Sequence, residues 1–175
     1  YSADGSRERA EAIGVHPHVA DLETGDYGDL PTDFTHLVHF AAWQGPTPDF
    51  DRAMRANAEA TGLLMAHCRH AEAALIASTN TVYRPNEDPW HAYLETDPLG
   101  DPTAPHSPTY AVSKVGQEAV ARTMARALDL PTTIARINAS YGPGGGLPAY
   151  HLDSVVAGET VQLRAPAPSP YSPIH

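Results

Sequence analysis

The sequence predicts an α/β fold, a doubly wound sheet of parallel strands, on three observations. Short apolar runs at Thr35–Ala42, Ala73–Tyr83 and Thr132–Ile137 have the length and composition of strands buried in a parallel sheet. Between them lie Phe50–Cys68 and the stretch from about Pro108 to Leu128, whose apolar residues recur near every 3.6 positions and read as crossover helices. The second strand turns polar at Ser78-Thr79-Asn80-Thr81, the end at which ligands sit in open α/β sheets.

Residues 1–12 are polar and read as a loop leading into a short helix. From Gly14 to Ala20, Val15 and Val19 suggest a short strand stopped by a polar turn at Asp21-Leu22. The run Thr35–Ala42 ends in small residues that let backbone approach a ligand closely, and His39, before that open end, is expected in the core. In the first long helix the inward residues read as Ala53, Met54, Ala56, Ala60, Leu63, Leu64 and Cys68. Prolines 85, 89, 98, 102, 105 and 108 exclude a long helix or a central strand from residues 84–108. That segment is expected to be a surface loop bordering a pocket, with Trp90 and Tyr93 packing it down or, alternatively, stacking on a base or sugar. In the second long helix, Val112, Val115, Ala119, Val120, Met124 and Leu128 are expected to face the sheet or a partner. Beyond a glycine-rich turn come a helix-like piece around Tyr150–Ala157, a strand-like Val161–Leu163 and a proline-rich end.

The chain has 175 residues and is 42% hydrophobic, enough for one domain with a core. Its formal net charge of -10 argues against nucleic acid or an anionic membrane surface and for a small-molecule partner. A single cysteine, Cys68, forbids an internal disulfide, and no apolar run approaches a membrane span, so a cytoplasmic location is expected. The 10 histidines are scattered without carboxylates or cysteines at ligand spacing, and no metal site is expected.

The chemistry-bearing stretch is Tyr110-Ala-Val-Ser-Lys114, which holds the only lysine in the chain. Four residues make about one helical turn, so a helix starting near Pro108 sets the phenol and the amine on one face. A cation held near a phenol favours the phenolate, which can exchange a proton with a substrate hydroxyl. Lysine suits that role because it is a compact charge that can also donate to cofactor hydroxyls.

The surrounding sequence, Ser-Pro-Thr-Tyr110-Ala-Val-Ser-Lys114-Val-Gly-Gln-Glu118, resembles the active-site helix of the extended short-chain dehydrogenase/reductase family, which includes nucleotide-sugar epimerases and dehydratases. The resemblance implies a Rossmann-type domain, NAD or NADP as cofactor, a small-molecule substrate such as a nucleotide sugar, and a homodimer through the two long helices. It makes Tyr110 the general acid/base, with Lys114 holding the nicotinamide ribose. Ser78-Thr79-Asn80-Thr81-Val82-Tyr83 resembles the family's hydroxyl motif, so Thr79 would orient the substrate oxygen, with Asn80 and Thr81 beside it. The family's 4,6-dehydratases carry acidic residues after this Thr, so Asn80 and Thr81 disfavour dehydration and suit an epimerase or a simple dehydrogenase/reductase.

His39-Phe40-Ala41-Ala42 resembles the family's His-x-Ala-Ala strand end beside the cofactor, which implies contacts from Phe40, Ala41 and Ala42, with Ala77 on the neighbouring strand. Asp21-Leu22 resembles the strand end against the adenine, although Asp21 can equally cap the next turn. Asn57 either steadies the backbone near Lys114, as the resemblance implies, or faces solvent. Asn138-Ala-Ser-Tyr141-Gly-Pro, following Arg136, resembles the exit to the substrate region and makes Asn138 and Tyr141 candidate substrate or nicotinamide contacts. Residues 1–146 would then be the nucleotide-binding domain without its first strand–glycine loop–helix unit, and 147–175 the beginning of the substrate-binding region. Without that unit the chain is not expected to fold alone as an enzyme. A ligand-binding or interaction module that kept the fold is the rival expectation, which the intact Thr79, Tyr110, Lys114 set opposes.

Overall fold

A computed structural model describes residues 6–45, 47–100, 108–142, 145–161 and 168. In chain order they form α1 (Ser6–Ala12), β1 (His36–His39), α2 (Phe50–Ala53), a π-helical stretch (Met54–Glu59) and α3 (Ala60–His67). There follow β2 (Ala73–Thr79), a 3-10 turn (Asn80–Val82), α4 (Tyr110–Leu128), β3 (Thr132–Ile137) and α5 (Leu147–Val156). The strands pair in the order β1-β2-β3, all parallel, as the apolar runs separated by helices predict. Thr79 and Ile137 are register partners, so β2 and β3 end level and their polar ends open together.

Both crossovers run the same way along the sheet, and right-handed connection therefore lays their helices on one face. The core forms there from Leu37, Ala74 and Ile76 of the sheet, Leu64, Met65 and Cys68 of the α3 segment, and Ala121 and Leu130 at the far end of α4. Gly62 lets α3 and α4 approach closely, because a Cβ there would stand 2.9 Å from Val120 Cγ1. At β1 the burial is one-sided: Leu37 and His39 are buried, whereas Val38 is 60% exposed.

Several expected features differ. Residues 14–20 form no strand: no described strand pairs with them, Val19 is exposed, and Asp21 instead closes an antiparallel bridge to Asp26. The first long helix is continuous but underwound in the middle, where the wider π turn carries Asn57 and Ala58 inward, and Leu63 beyond it is exposed. On α4 the buried residues are Ala111, Ser113, Lys114, Gln117, Glu118 and Ala121, whereas Val112 and Ala119 face outward. A polar face can be buried here because nearly every group on it has a partner. Trp90 is exposed rather than packed down, while Tyr93 does pack, stacking on Tyr83 at 4.9 Å. The tail helix starts earlier than expected, with Pro148 in its first turn, and the strand-like segment from residue 162 onward lies outside the described residues.

Candidate active site

At the carboxyl ends of β2 and β3 the structure has a cavity of about 750 Å³. Its walls bring together Thr79, Asn80, Thr81, Tyr110, Lys114 and Asn138, residues far apart in sequence. Phe40, Ala42 and Ala77 line it as well.

Lys114 is the most constrained of these. It is 1% exposed, and its Nζ donates to the Ala77 carbonyl at 2.6 Å and lies 5.9 Å from the centre of the Tyr110 ring. Burial pulls its pKa down to about 8 against the opposing pull of Glu118, so the ammonium stays charged at neutral pH. An ammonium has three donors and Ala77 takes one. Thr79 ends β2 and caps the 3-10 turn: its Oγ1 accepts from the Thr81 amide at 3.2 Å and pairs with the Thr81 hydroxyl at 3.1 Å. That turn bends the chain away from the sheet and leaves Thr79 at the floor of the cavity.

Asn57 lies behind the wall and does not face solvent. Its side-chain amide donates to Ser113 Oγ at 2.8 Å and to the Trp43 carbonyl at 3.0 Å, and its Oδ1 accepts from the Trp43 amide at 2.7 Å. Ser113 Oγ in turn donates to the Tyr110 carbonyl at 2.8 Å. One side chain from the π turn thus ties the segment after β1 to the turn of α4 that bears Tyr110 and Lys114. Thr61 donates to the Asn57 carbonyl and receives Gln117 Nε2, so His39 Nε2 must carry a proton to complete its 3.0 Å contact with Thr61 Oγ1. Burial, aided by the charge of Lys114, lowers the His39 pKa to about 4 and keeps that core histidine neutral.

The other expected residues are not brought to this cavity. Asp21 Oδ1 accepts from the Glu23 amide at 2.9 Å, the turn-capping arrangement, and Leu22 packs on the core. Ala41 is exposed outside the wall, and Tyr141 lines a second hollow with Tyr150 and Asp153. Sequence reasoning passed over Gln44, Tyr83, Pro85 and Ser140, which line the cavity. It also gave no role to Arg136, although the one charged residue of β3 was a visible signal.

Residues 5–162 match the model of the NAD dependent epimerase/dehydratase family. Solved structures with the same fold include RMD from Pseudomonas aeruginosa complexed with NADPH, 22% identical with a TM-score of 0.66 over 90% of this chain and 60% of that one. UDP-glucuronic acid 4-epimerase from Bacillus cereus, in complex with UDP-glucuronic acid and NAD, is 21% identical with a TM-score of 0.63 over 87% of this chain and 50% of that one. A double mutant of DesIV, a dTDP-glucose 4,6-dehydratase from Streptomyces venezuelae with NAD bound, is 25% identical with a TM-score of 0.60 over 88% of this chain and 49% of that one. The chain thus spans between 49% and 60% of the length of these proteins. No curated protein matches it.

Proposed function

The chain belongs to the NAD dependent epimerase/dehydratase family, and from that premise we propose that it bears the reacting site of an NAD- or NADP-dependent enzyme acting at a carbinol carbon of a sugar nucleotide or similar hydroxylated molecule. The observation that carries this reading is the shared wall of Thr79, Tyr110 and Lys114 in one cavity, with the lysine ammonium buried and only partly hydrogen-bonded. Tyr110 exchanges a proton with the substrate hydroxyl, Thr79 orients the reacting oxygen, and Lys114 supplies a fixed positive charge beside the ring.

The donor set fits a nicotinamide nucleotide. The remaining Lys114 donors suit ribose hydroxyls, and Ala42 and Ala77 offer a low wall that a flat ring can approach, with the Phe40 ring beside it. When bound, that cofactor supplies the hydride chemistry. Asp21, Leu22 and Ala41 keep no part in this reading of the cavity, and Asn57 acts by steadying α4. Asn80, Thr81 and Asn138 face the substrate, and Tyr141 is left to the region that begins at about residue 147.

Asn80 and Thr81 are neutral, which favours an epimerase or a dehydrogenase/reductase over a 4,6-dehydratase even though a dehydratase shares the fold. Pairing of two copies through the long helices, where Leu63 and Val112 are exposed, belongs to the same proposal and is read by sedimentation of the full-length protein.

The deciding experiment is Tyr110→Phe in the full-length protein, assayed with UDP-glucose, UDP-glucuronic acid and dTDP-glucose. Turnover should fall by about 10²–10⁴-fold while NADH binding, followed by cofactor fluorescence, stays unchanged. Undiminished turnover would sink the assignment.

A further inference from the structure

Behind the cavity lies a further hollow of about 570 Å³, distinct from the one lined by Tyr141, and it shares Asn80, Tyr83, Tyr93 and Asn138 with the cavity as a partition. Tyr83 and Tyr93 are stacked, with centroids 4.9 Å apart and planes at 26°. Tyr93 belongs to the 84–97 loop and is tied into it, since its hydroxyl donates to the Arg84 carbonyl at 3.2 Å and accepts from the Asn86 amide at 2.9 Å. The face of this partition turned away from the cavity meets Arg136.

Arg136 uses every edge of its guanidinium. Nε and Nη2 donate to the two oxygens of Glu118 at 2.9 and 2.8 Å, Nη1 donates to the Glu95 carbonyl at 3.0 Å, and the plane lies 4.8 Å from the Tyr83 ring centre. Glu118 is 3% exposed and stands one helical turn after Lys114. It also accepts from Ser78 Oγ at 2.6 Å, beside Thr79, and has Arg122 at 3.8 Å. Burial works to raise the Glu118 pKa, but the hydrogen bonds from Arg136 and Ser78 outweigh it and hold the carboxylate ionised. A bidentate guanidinium with a third donor left over is a shape that lysine cannot supply.

We infer that Arg136 is a positioning residue that seats the 84–97 loop as the substrate-side wall of the cavity, with Glu118 locking Arg136 to the helix and strand that bear Lys114 and Thr79. The loop is well tied within itself, by Tyr93 to Arg84 and Asn86, His91 to Asp97 and Leu94 to Asp97, and it is closed at its base by Arg84 to Pro98 and Gly100 to Val82. Among the described residues, the Arg136 contact with Glu95 and the stack of Tyr93 on Tyr83 bind it to the sheet. The same residue thus joins substrate wall and catalytic floor. This inference rests on the proposed function for its kinetic consequence but not for its structural one.

Two readouts on the full-length protein test it separately. In Arg136→Lys, hydrogen exchange at the amides of residues 84, 86, 94 and 97 should accelerate by about tenfold while α3 and β1 stay protected. With whichever of the three sugar nucleotides the wild type turns over, KM should rise by about tenfold, with kcat within about threefold and NADH binding unchanged. That pattern is the reverse of Tyr110→Phe. The double variant Glu118→Gln/Arg136→Met removes both members of the ion pair together, so neither is left buried without its partner, and it guards against a simple folding failure. It should release the loop as well. Unchanged loop exchange in both variants overturns the inference, as does acceleration spread equally over α3 and β1, or a loss of NADH binding that matches the loss of substrate binding. A wild type that turns over none of the three nucleotides and binds no NADH would end the enzyme reading instead, and the exchange experiment would still decide the role of Arg136.

Discussion

The two halves of α4 face the same interior with opposite chemistry. Its first two turns bury Ser113, Lys114, Gln117 and Glu118, whereas its last turns bury Ala121 and press Met124, Ala125 and Leu128 on the apolar cluster around Met65 and Ile76. An apolar side chain taken from water contributes about 1.5–3 kcal/mol, while a buried ion pair near balance contributes little net. Gln117 Oε1 has no partner among the described residues, and an unmet buried acceptor costs about 1–3 kcal/mol. The apolar half therefore holds the helix down, and the polar half spends part of that stability on placing Tyr110 and Lys114.

The largest effect should come from breaking the apolar half. Met65 is fully buried in the cluster, and Met65→Ala should lower unfolding stability by about 2–5 kcal/mol in denaturant titrations. NADH binding by the protein that remains folded should not change, because Met65 takes no part in the cavity wall. A variant that lost cofactor binding while keeping its stability would mean that the two halves are not separable in this way.

The polar half should respond in the opposite direction. Lys114→Met removes a charge that is held in the interior at an energetic disadvantage, and it should raise stability at neutral pH by about 1–3 kcal/mol while abolishing turnover. The pH dependence gives the sign. The folded lysine has a pKa of about 8 against the ordinary 10.5, so between those values the unfolded chain binds more protons and wild-type stability rises with pH. The advantage of the methionine variant should be full below pH 8 and shrink toward pH 10.5. Urea midpoints at pH 7 and pH 10 read it, and a variant less stable than wild type at pH 7 would mean that the Lys114 hydrogen bond to Ala77 outweighs desolvation.

The same division explains what could be read in the sequence. β2, β3 and the extent of the helices were legible because their apolar runs and periods reflect burial against apolar partners. The buried face of α4 was not legible, because periodicity marks Val112 and Ala119 as facing the sheet or a partner and has no means of knowing that Ser113, Gln117 and Glu118 would meet partners from Asn57, Thr61, Ser78 and Arg136. Those pairings join residues 18 to 56 positions apart and leave no local signature. The π turn was invisible for a related reason, since what favours it is the reach of Asn57 to Trp43 and Ser113 rather than any propensity of its own sequence. Thr79, Tyr110 and Lys114 were legible as a motif and the loop as the border of a pocket, but the stack of Tyr83 on Tyr93 was not, because a loop rich in proline shows where structure stops and not which way its aromatics turn.

The smallest effect belongs at the end of the apolar half. Asp129 caps α4 in the left-handed conformation, with φ of 51°, and it is the only non-glycine with positive φ among the described residues. Its side chain is unfavourable there twice over: a Cβ is strained at that φ, and a carboxylate meets the negative end of the helix dipole. Asp129→Gly removes both penalties but gives the unfolded chain more freedom, so the net gain should be about 0.5 kcal/mol. Asp129→Asn keeps the Cβ and removes only the charge, and its gain should be smaller. Both should leave kcat, KM and NADH binding as they are, since the cap joins the part of α4 that packs and not the part that reacts. A change in KM from either substitution would show that strain at the far cap reaches Glu118 along the helix, and the division of α4 would have to be drawn elsewhere.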